Sequence, residues 1–297
     1  MTNQESDVQP RYVRVVDAWI QPWTQEVVRA LSPRTSHVFK RYGVTRVSAG
    51  ITLEAMMEEL EASPVDLALI SGGPAVPMKL VLHALETWPE RLIGVAAVDP
   101  LKGIMNAVRE LEAYVRSNPI CAMKLEPFYF WRDPSNRIFY PLYAKCEELG
   151  IAVQTQVGGT GPLYPSSSGR PLCIDEVALD FPDLTIVCGH VGTPWVEEMI
   201  HVAWKHDNIY IDTSARLPKH FEESFISFLS TYGQHRCIYA SDWPLLDFAR
   251  PIRQLDKLEL DVSVRQRLLA GNAIRAFRLD RFGIALEQAS EEPLTEG

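Results

Sequence analysis

Short apolar, β-branched runs alternate with longer stretches in which apolar residues recur three and four apart, from residue 12 to about residue 280. Eight runs read as strands: YVRVVDAWI (12–20), VDLALIS (65–71), RLIGVAAV (91–98), ICAMKL (120–125), IAVQTQV (151–157), LTIVCG (184–189), NIYIDT (208–213) and RCIYAS (236–241). Between them LKGIMNAVRELEAYV (101–115), IFYPLYAKCEELG (138–150) and HFEESFISFLSTYG (220–233) carry helical spacing. In the last two a Gly follows the final turn. Eight strands alternating with helices over about 270 residues predict an α/β fold, a single-domain (β/α)8 TIM barrel. The stretch 21–64 is an insertion after the first strand, with a helix of its own from Leu53 to Ala62. A doubly wound sheet would share the alternation. It would place a Gly-rich dinucleotide loop directly after the first strand, and none stands there. GGTG at 158–161 runs into Pro162, which lacks the N–H a phosphate cradle uses, so it reads as a turn. The barrel is expected to occupy 12–282, between a disordered tail at 1–11 and an acidic tail at 283–297.

Composition narrows the class of partner. The 297 residues carry a formal net charge of −9 and no Lys/Arg run, which argues against nucleic acid. No apolar run approaches the roughly 20 residues that span a bilayer, and the polar, acidic start MTNQESDVQP is no signal peptide. The five cysteines (Cys121, Cys146, Cys173, Cys188 and Cys237) are scattered and form no CxxC pair. They read as reduced, mostly buried thiols of a cytoplasmic protein.

A barrel of this kind builds its active site at the C-terminal ends of its strands. The residues found there are Asp17, Trp19 and Gln21 after the first strand, Lys124 and Glu126 after the fourth, and Gln154 and Gln156 on the fifth. His190 follows the sixth, Asp212 and Thr213 the seventh, and Ser241 and Asp242 the eighth. Polar groups buried in a barrel mouth cost free energy unless paired or used. The remaining histidines (His37, His83, His201, His206, His220 and His235) show no ligand spacing and read as surface residues. Arg170 lies in the long loop 158–171, placed to bind a carboxylate. Phe128, Tyr129, Phe130 and Trp131 form an aromatic loop suited to roofing a flat substrate or to an oligomer interface.

The segments FPDLTIVCGHVGTPW (181–195), NIYIDTSA (208–215), CIYASDWP (237–244) and LLAGNAIRAF (268–277) resemble, in order, motifs of the amidohydrolase superfamily. The branch is the one that holds aminocarboxymuconate-semialdehyde decarboxylase, resorcylate-type decarboxylases and lactonases. The resemblance implies metal ligands: two histidines after the first strand, one on the fifth, one after the sixth and an Asp after the eighth. His190 and Asp242 match, whereas Trp19, Gln21 and Gln156 stand where the other three histidines belong. An indole N–H only donates, and a carboxamide is a weak ligand. The expectation is therefore an enzyme without the standard metal and with no cofactor. It would hydrolyse a lactone-like ester, or decarboxylate or cleave a cyclic carboxylate. Asp242 would be the base and His190 its assistant, with Trp19, Gln21, Lys124, Gln156 and Arg170 binding substrate. A second reading is a non-catalytic barrel subunit paired with a metal-bearing homologue; homo-oligomers fit the first reading equally. A third keeps a reduced site for zinc, manganese or iron on His190, Asp242 and Glu126.

Overall fold

The structure, a computed structural model, describes residues 10–287. Its ten strands are β1 (Arg11–Val13), β2 (Val16–Ile20), β3 (Leu67–Ser71), β4 (Leu92–Ala96), β5 (Ile120–Leu125), β6 (Ala152–Gln156), β7 (Ile186–Gly189), β8 (Ile209–Asp212), β9 (Cys237–Ile238) and β10 (Ile284–Leu286). Strands β2 to β9 form one parallel sheet in sequence order. It closes on itself through an Ile20–Trp243 bridge and bonds from Ala18 N to Tyr239 O (3.1 Å) and Gln21 N to Trp243 O (3.0 Å). The fold is the predicted (β/α)8 barrel.

Strand pleating decides what faces inward. Ala122, Ala152 and Tyr210 belong to the apolar cluster that fills the barrel with Val16, Leu67, Ile93 and Val187. Side chains two and four residues further along share their face. Lys124 and Glu126, Gln154 and Gln156, and Asp212 are therefore carried inward and up to the mouth. In β2 a register shift between Asp17 and Ile20 turns Trp19 and Gln21 to the same side. A larger apolar cluster lies between the strands and the helices. Four cysteines are buried and Cys173 is half-buried; all five are free thiols.

The insertion is more helical than its sequence pattern predicts. Besides Leu53–Glu61 it holds Gln25–Ala30 and Pro33–Tyr42, capped by Thr24 and Ser32 and ended by left-handed Gly43. Trp243, in the segment that follows β9, donates from Nε1 to Glu59 Oε2 at 2.9 Å, and Arg46 grips the same carboxylate. The insertion is thus fastened beside the mouth.

Two boundaries differ from expectation. Residue 11 and residues 283–287, assigned to tails, belong to the folded body. β1 and β10 pair in parallel, Val13 and Ile284 are buried, and Arg14 is salt-bridged to Glu287. The rest of the expected tails, 1–9 and 288–297, lies outside the described residues. His206 is also no free surface group, since its ring bonds Asp175 at 2.7 Å in a half-buried site. No helix among the described residues is long and apolar enough to cross a membrane.

Candidate active site

The mouth encloses a cavity of about 160 Å³ into which Trp19, Gln21, Glu126, Gln156, His190 and Asp242 all project. An apolar cavity of about 150 Å³ holds one benzene ring, so this one has the size for a single-ring ligand. Trp23, Thr35, Val38 and Tyr42 from the insertion form one wall. Phe128 and Tyr129 form part of the roof, whereas Trp131 is turned outward and meets Arg34. The aromatic loop therefore serves as a roof over half its length.

Three of the rim residues sit in strained backbone. His190 (φ 67°), Ala215 (φ 57°) and Asp242 (φ 62°) are left-handed and follow β7, β8 and β9. Each costs on the order of 1 kcal/mol. Bonds from Asp242 N to Trp19 O (3.0 Å), from Ala215 N to Ser241 O (3.2 Å) and from His190 N to Ser214 Oγ (3.3 Å) hold them. Strain of this kind gathers at working sites. Gly189 makes room for the indole: a Cβ there would lie 2.9 Å from the Trp19 ring.

His190 is oriented from behind. Its Nδ1 lies 2.8 Å from Ser214 Oγ and 3.2 Å from the Ser214 carbonyl oxygen. The Ser214 hydroxyl donates in turn to Asp212 Oδ1. A hydroxyl has one proton, and here the carboxylate takes it, so Nδ1 must be the protonated nitrogen facing two acceptors. Nε2 is left with its lone pair. Burial, helped by the Lys124 charge, pushes the imidazole down to about 4, so the ring is neutral at ordinary pH. Ser214→Ala should loosen this choice. Nitrogen NMR of the His190 ring is expected to show mainly the Nδ1–H form in wild type and a mixed population in the variant. An unchanged tautomer would mean the carbonyl alone decides it.

The carboxylates are shifted the other way. Burial raises Asp242 well above the usual range, opposed by the Lys124 charge and reinforced by Glu126 and Asp212. Burial likewise raises Glu126, against the pull of Lys124. Deeper in the barrel, burial lifts Asp17 to about 7 and Asp212 to about 6, despite bonds from Ser241 to the first and Ser214 to the second.

Two expected binding residues lie elsewhere. Arg170 does not reach the cavity, because Glu198 takes its guanidinium (Nε to Oε2 2.7 Å) and it stacks on Trp195 at 4.9 Å. Lys124 is buried behind the cavity floor: its Nζ bonds Ser71 Oγ at 3.1 Å and lies 4.1 Å from the Trp19 ring centre. Gln21, with its amide oxygen turned to the donors, accepts from Lys124 Nζ and from Trp19 Nε1 at 3.2 Å. Gln156 donates to Gly158 O at 3.0 Å, and its own oxygen is buried without a partner. Thr193, Tyr42 and Arg216 also line the cavity, beyond the residues expected from the strand ends. Only Arg216, three residues past Thr213 at a strand end, carried a signal.

Residues 19–279 match the profile of a family described as amidohydrolase. The chain belongs to the amidohydrolase family. A search of curated proteins finds no match. Among solved structures, an uncharacterised TIM-barrel protein of Bordetella bronchiseptica is 24% identical, with TM-score 0.75 over 89% of this chain and 98% of that one. A 5-carboxyvanillate decarboxylase of Novosphingobium aromaticivorans, in complex with manganese and a nitrobenzoic acid, is 15% identical (TM-score 0.70; 90% and 96% covered). A probable 2-pyrone-4,6-dicarboxylic acid hydrolase of Acinetobacter baumannii with bound citric acid is 14% identical (TM-score 0.62; 90% and 100% covered). At these identities the likeness is one of fold.

The donors of this amidohydrolase-family barrel do not fit the manganese of that decarboxylase. Trp19 offers an N–H, the Gln21 oxygen is taken by Lys124, and Gln156 offers only one neutral carboxamide oxygen, a weak ligand beside imidazole. No three His, Cys, Asp or Glu among the described residues are grouped to hold a metal. An ammonium already sits behind Trp19 and Gln21, and a divalent cation beside it would meet like-charge repulsion.

Proposed function

We propose that this chain is a metal-independent hydrolase of its family, opening a single-ring lactone-like ester. The observation that carries the reading is the convergence of Asp242, the His190 Nε2 lone pair and the Gln21 amide on one ring-sized cavity. Ionised Asp242 takes a proton from water as the water oxygen bonds to the lactone carbonyl carbon. Negative charge grows on the carbonyl oxygen, which meets the Gln21 N–H. As the ring C–O bond breaks, Asp242 returns the proton to the leaving oxygen, giving a hydroxy acid. His190 Nε2 accepts from the water and orients it. Decarboxylation is the weaker reading, because it asks for an electron sink against the ring.

The test is metal analysis joined to a screen of single-ring lactones. The purified protein should carry well under one equivalent of zinc, manganese or iron, and turnover should be unchanged by a chelator. Stoichiometric metal, or activity lost on chelation and restored by manganese, would overturn the proposal.

A further inference from the structure

The buried lysine has an unusual set of neighbours. Lys124 is 3% exposed, yet among the described residues no carboxylate comes within the 4 Å of an ion pair. Its ammonium is held by neutral groups: the Trp19 π face, the Gln21 oxygen and Ser71 Oγ. Ser71 spends its own proton on Ile20 O at 3.1 Å, so it meets Lys124 as an acceptor. A buried charge is normally neutralised by a partner in contact. Here burial pulls the ammonium below the usual lysine range, and Glu126, Asp242 and Asp212, which oppose that, act on it only from a distance.

We propose that Lys124 is the fixed cation of an anion subsite, exerting its charge on the cavity through Gln21, with a ring-bound carboxylate or a developing oxyanion as the group received. The inference rests on the reading of the cavity as a substrate site. The route is geometric. The ammonium and the Trp19 N–H both donate to the Gln21 oxygen, which fixes that amide with its NH2 on the other side. Gln21 lines the cavity, and Lys124 does not. Hydrogen bonds polarise one another along such a chain in a low-dielectric interior, so the Gln21 N–H becomes a stronger donor to negative oxygen. Lys124 is then a positioning residue, and Gln21 the one in contact. The two side chains that cannot serve a divalent cation instead solvate an internal one.

Calorimetry with benzoate and benzamide tests this, since the two differ mainly in charge and both match a one-ring cavity. Measurements are made on the Asp242→Asn protein, so that failure of the catalytic reading leaves this result untouched. We expect benzoate to bind at least about tenfold more tightly than benzamide. Lys124→Met should erase that preference while keeping benzamide binding, which a merely structural lysine would not do. If that variant does not fold, Ser71→Asp supplies the contact carboxylate that Lys124 lacks, from a residue outside the cavity lining, and should erase the preference with the lysine in place. Equal affinity for the two probes in the starting protein, including none measurable for either, overturns the proposal. So does a benzoate preference that survives in either variant.

Discussion

Replacing Asp242 by Asn should lower lactone turnover by about two to four orders of magnitude, the worth of a well-placed carboxylate base, while the protein stays folded and no less stable, because the buried carboxylate charge is removed. Asn is the right substitution for a structural reason: residue 242 is left-handed (φ 62°), and Asn tolerates that region nearly as well as Asp. The backbone bonds from Asp242 N to Trp19 O and from Leu245 N to Asp242 O do not depend on the side chain. In wild type the rate should climb with pH as the elevated Asp242 carboxyl ionises. Unchanged turnover in the variant would remove Asp242 from the chemistry. Activity that survives in a complex with a metal-bearing homologue, and depends on that partner's ligands, would make this barrel an accessory subunit.

Asp17→Asn should flatten the pH dependence of stability. The Asp17 carboxyl is held at about 7 in the fold against 3.8 ordinarily. The folded state therefore binds this proton more tightly, and stability is lost as pH rises from about 4 to about 7. The full cost above pH 7 is on the order of 4 kcal/mol. Asp212 acts with the same sign up to about pH 6, as do Asp242 and Glu126, which burial also raises, whereas His190, lowered to about 4, acts with the opposite sign between about 4 and 6.5. Asn keeps an oxygen for the Trp19 and Ser241 N–H groups that Asp17 Oδ1 serves. Urea midpoints at pH 5 and pH 8 should differ markedly less in the variant. An equal drop in both proteins would show that some other group sets the slope.

What could be read from the chain depended on how local the signal was. ICAMKL is a strand from Ile120 to Leu125 to the residue, because a run bounded by Pro119 and Glu126 leaves little room for another reading. The convergence of Gln21, Gln156, His190 and Asp242 also followed from strand ends alone. The helices Gln25–Ala30 and Pro33–Tyr42 went unread although Thr24, the Ser32–Pro33 pair and Gly43 are ordinary start and stop signals. Their apolar positions are too few to form a stripe. Arg170 was misplaced because its partner Glu198 lies 28 residues on, across two elements. Lys124 is expected from its strand end to bind substrate directly; its contacts with Trp19 and Gln21 instead arise across the barrel and depend on side-chain reach.

The pairing of β1 with β10 has a practical side. Both strands sit below the barrel, since β1 enters β2 only two residues after Val13, and the mouth lies at the far end of β2. A surface tether or fusion partner joined at Pro10 or Glu287 would leave from the floor of the molecule and keep clear of arriving ligand. The same clasp lays Arg11 beside Ile284. Joining the chain there by a linker and reopening it in a surface loop would be a natural permutation, and one that leaves every residue at the mouth in place.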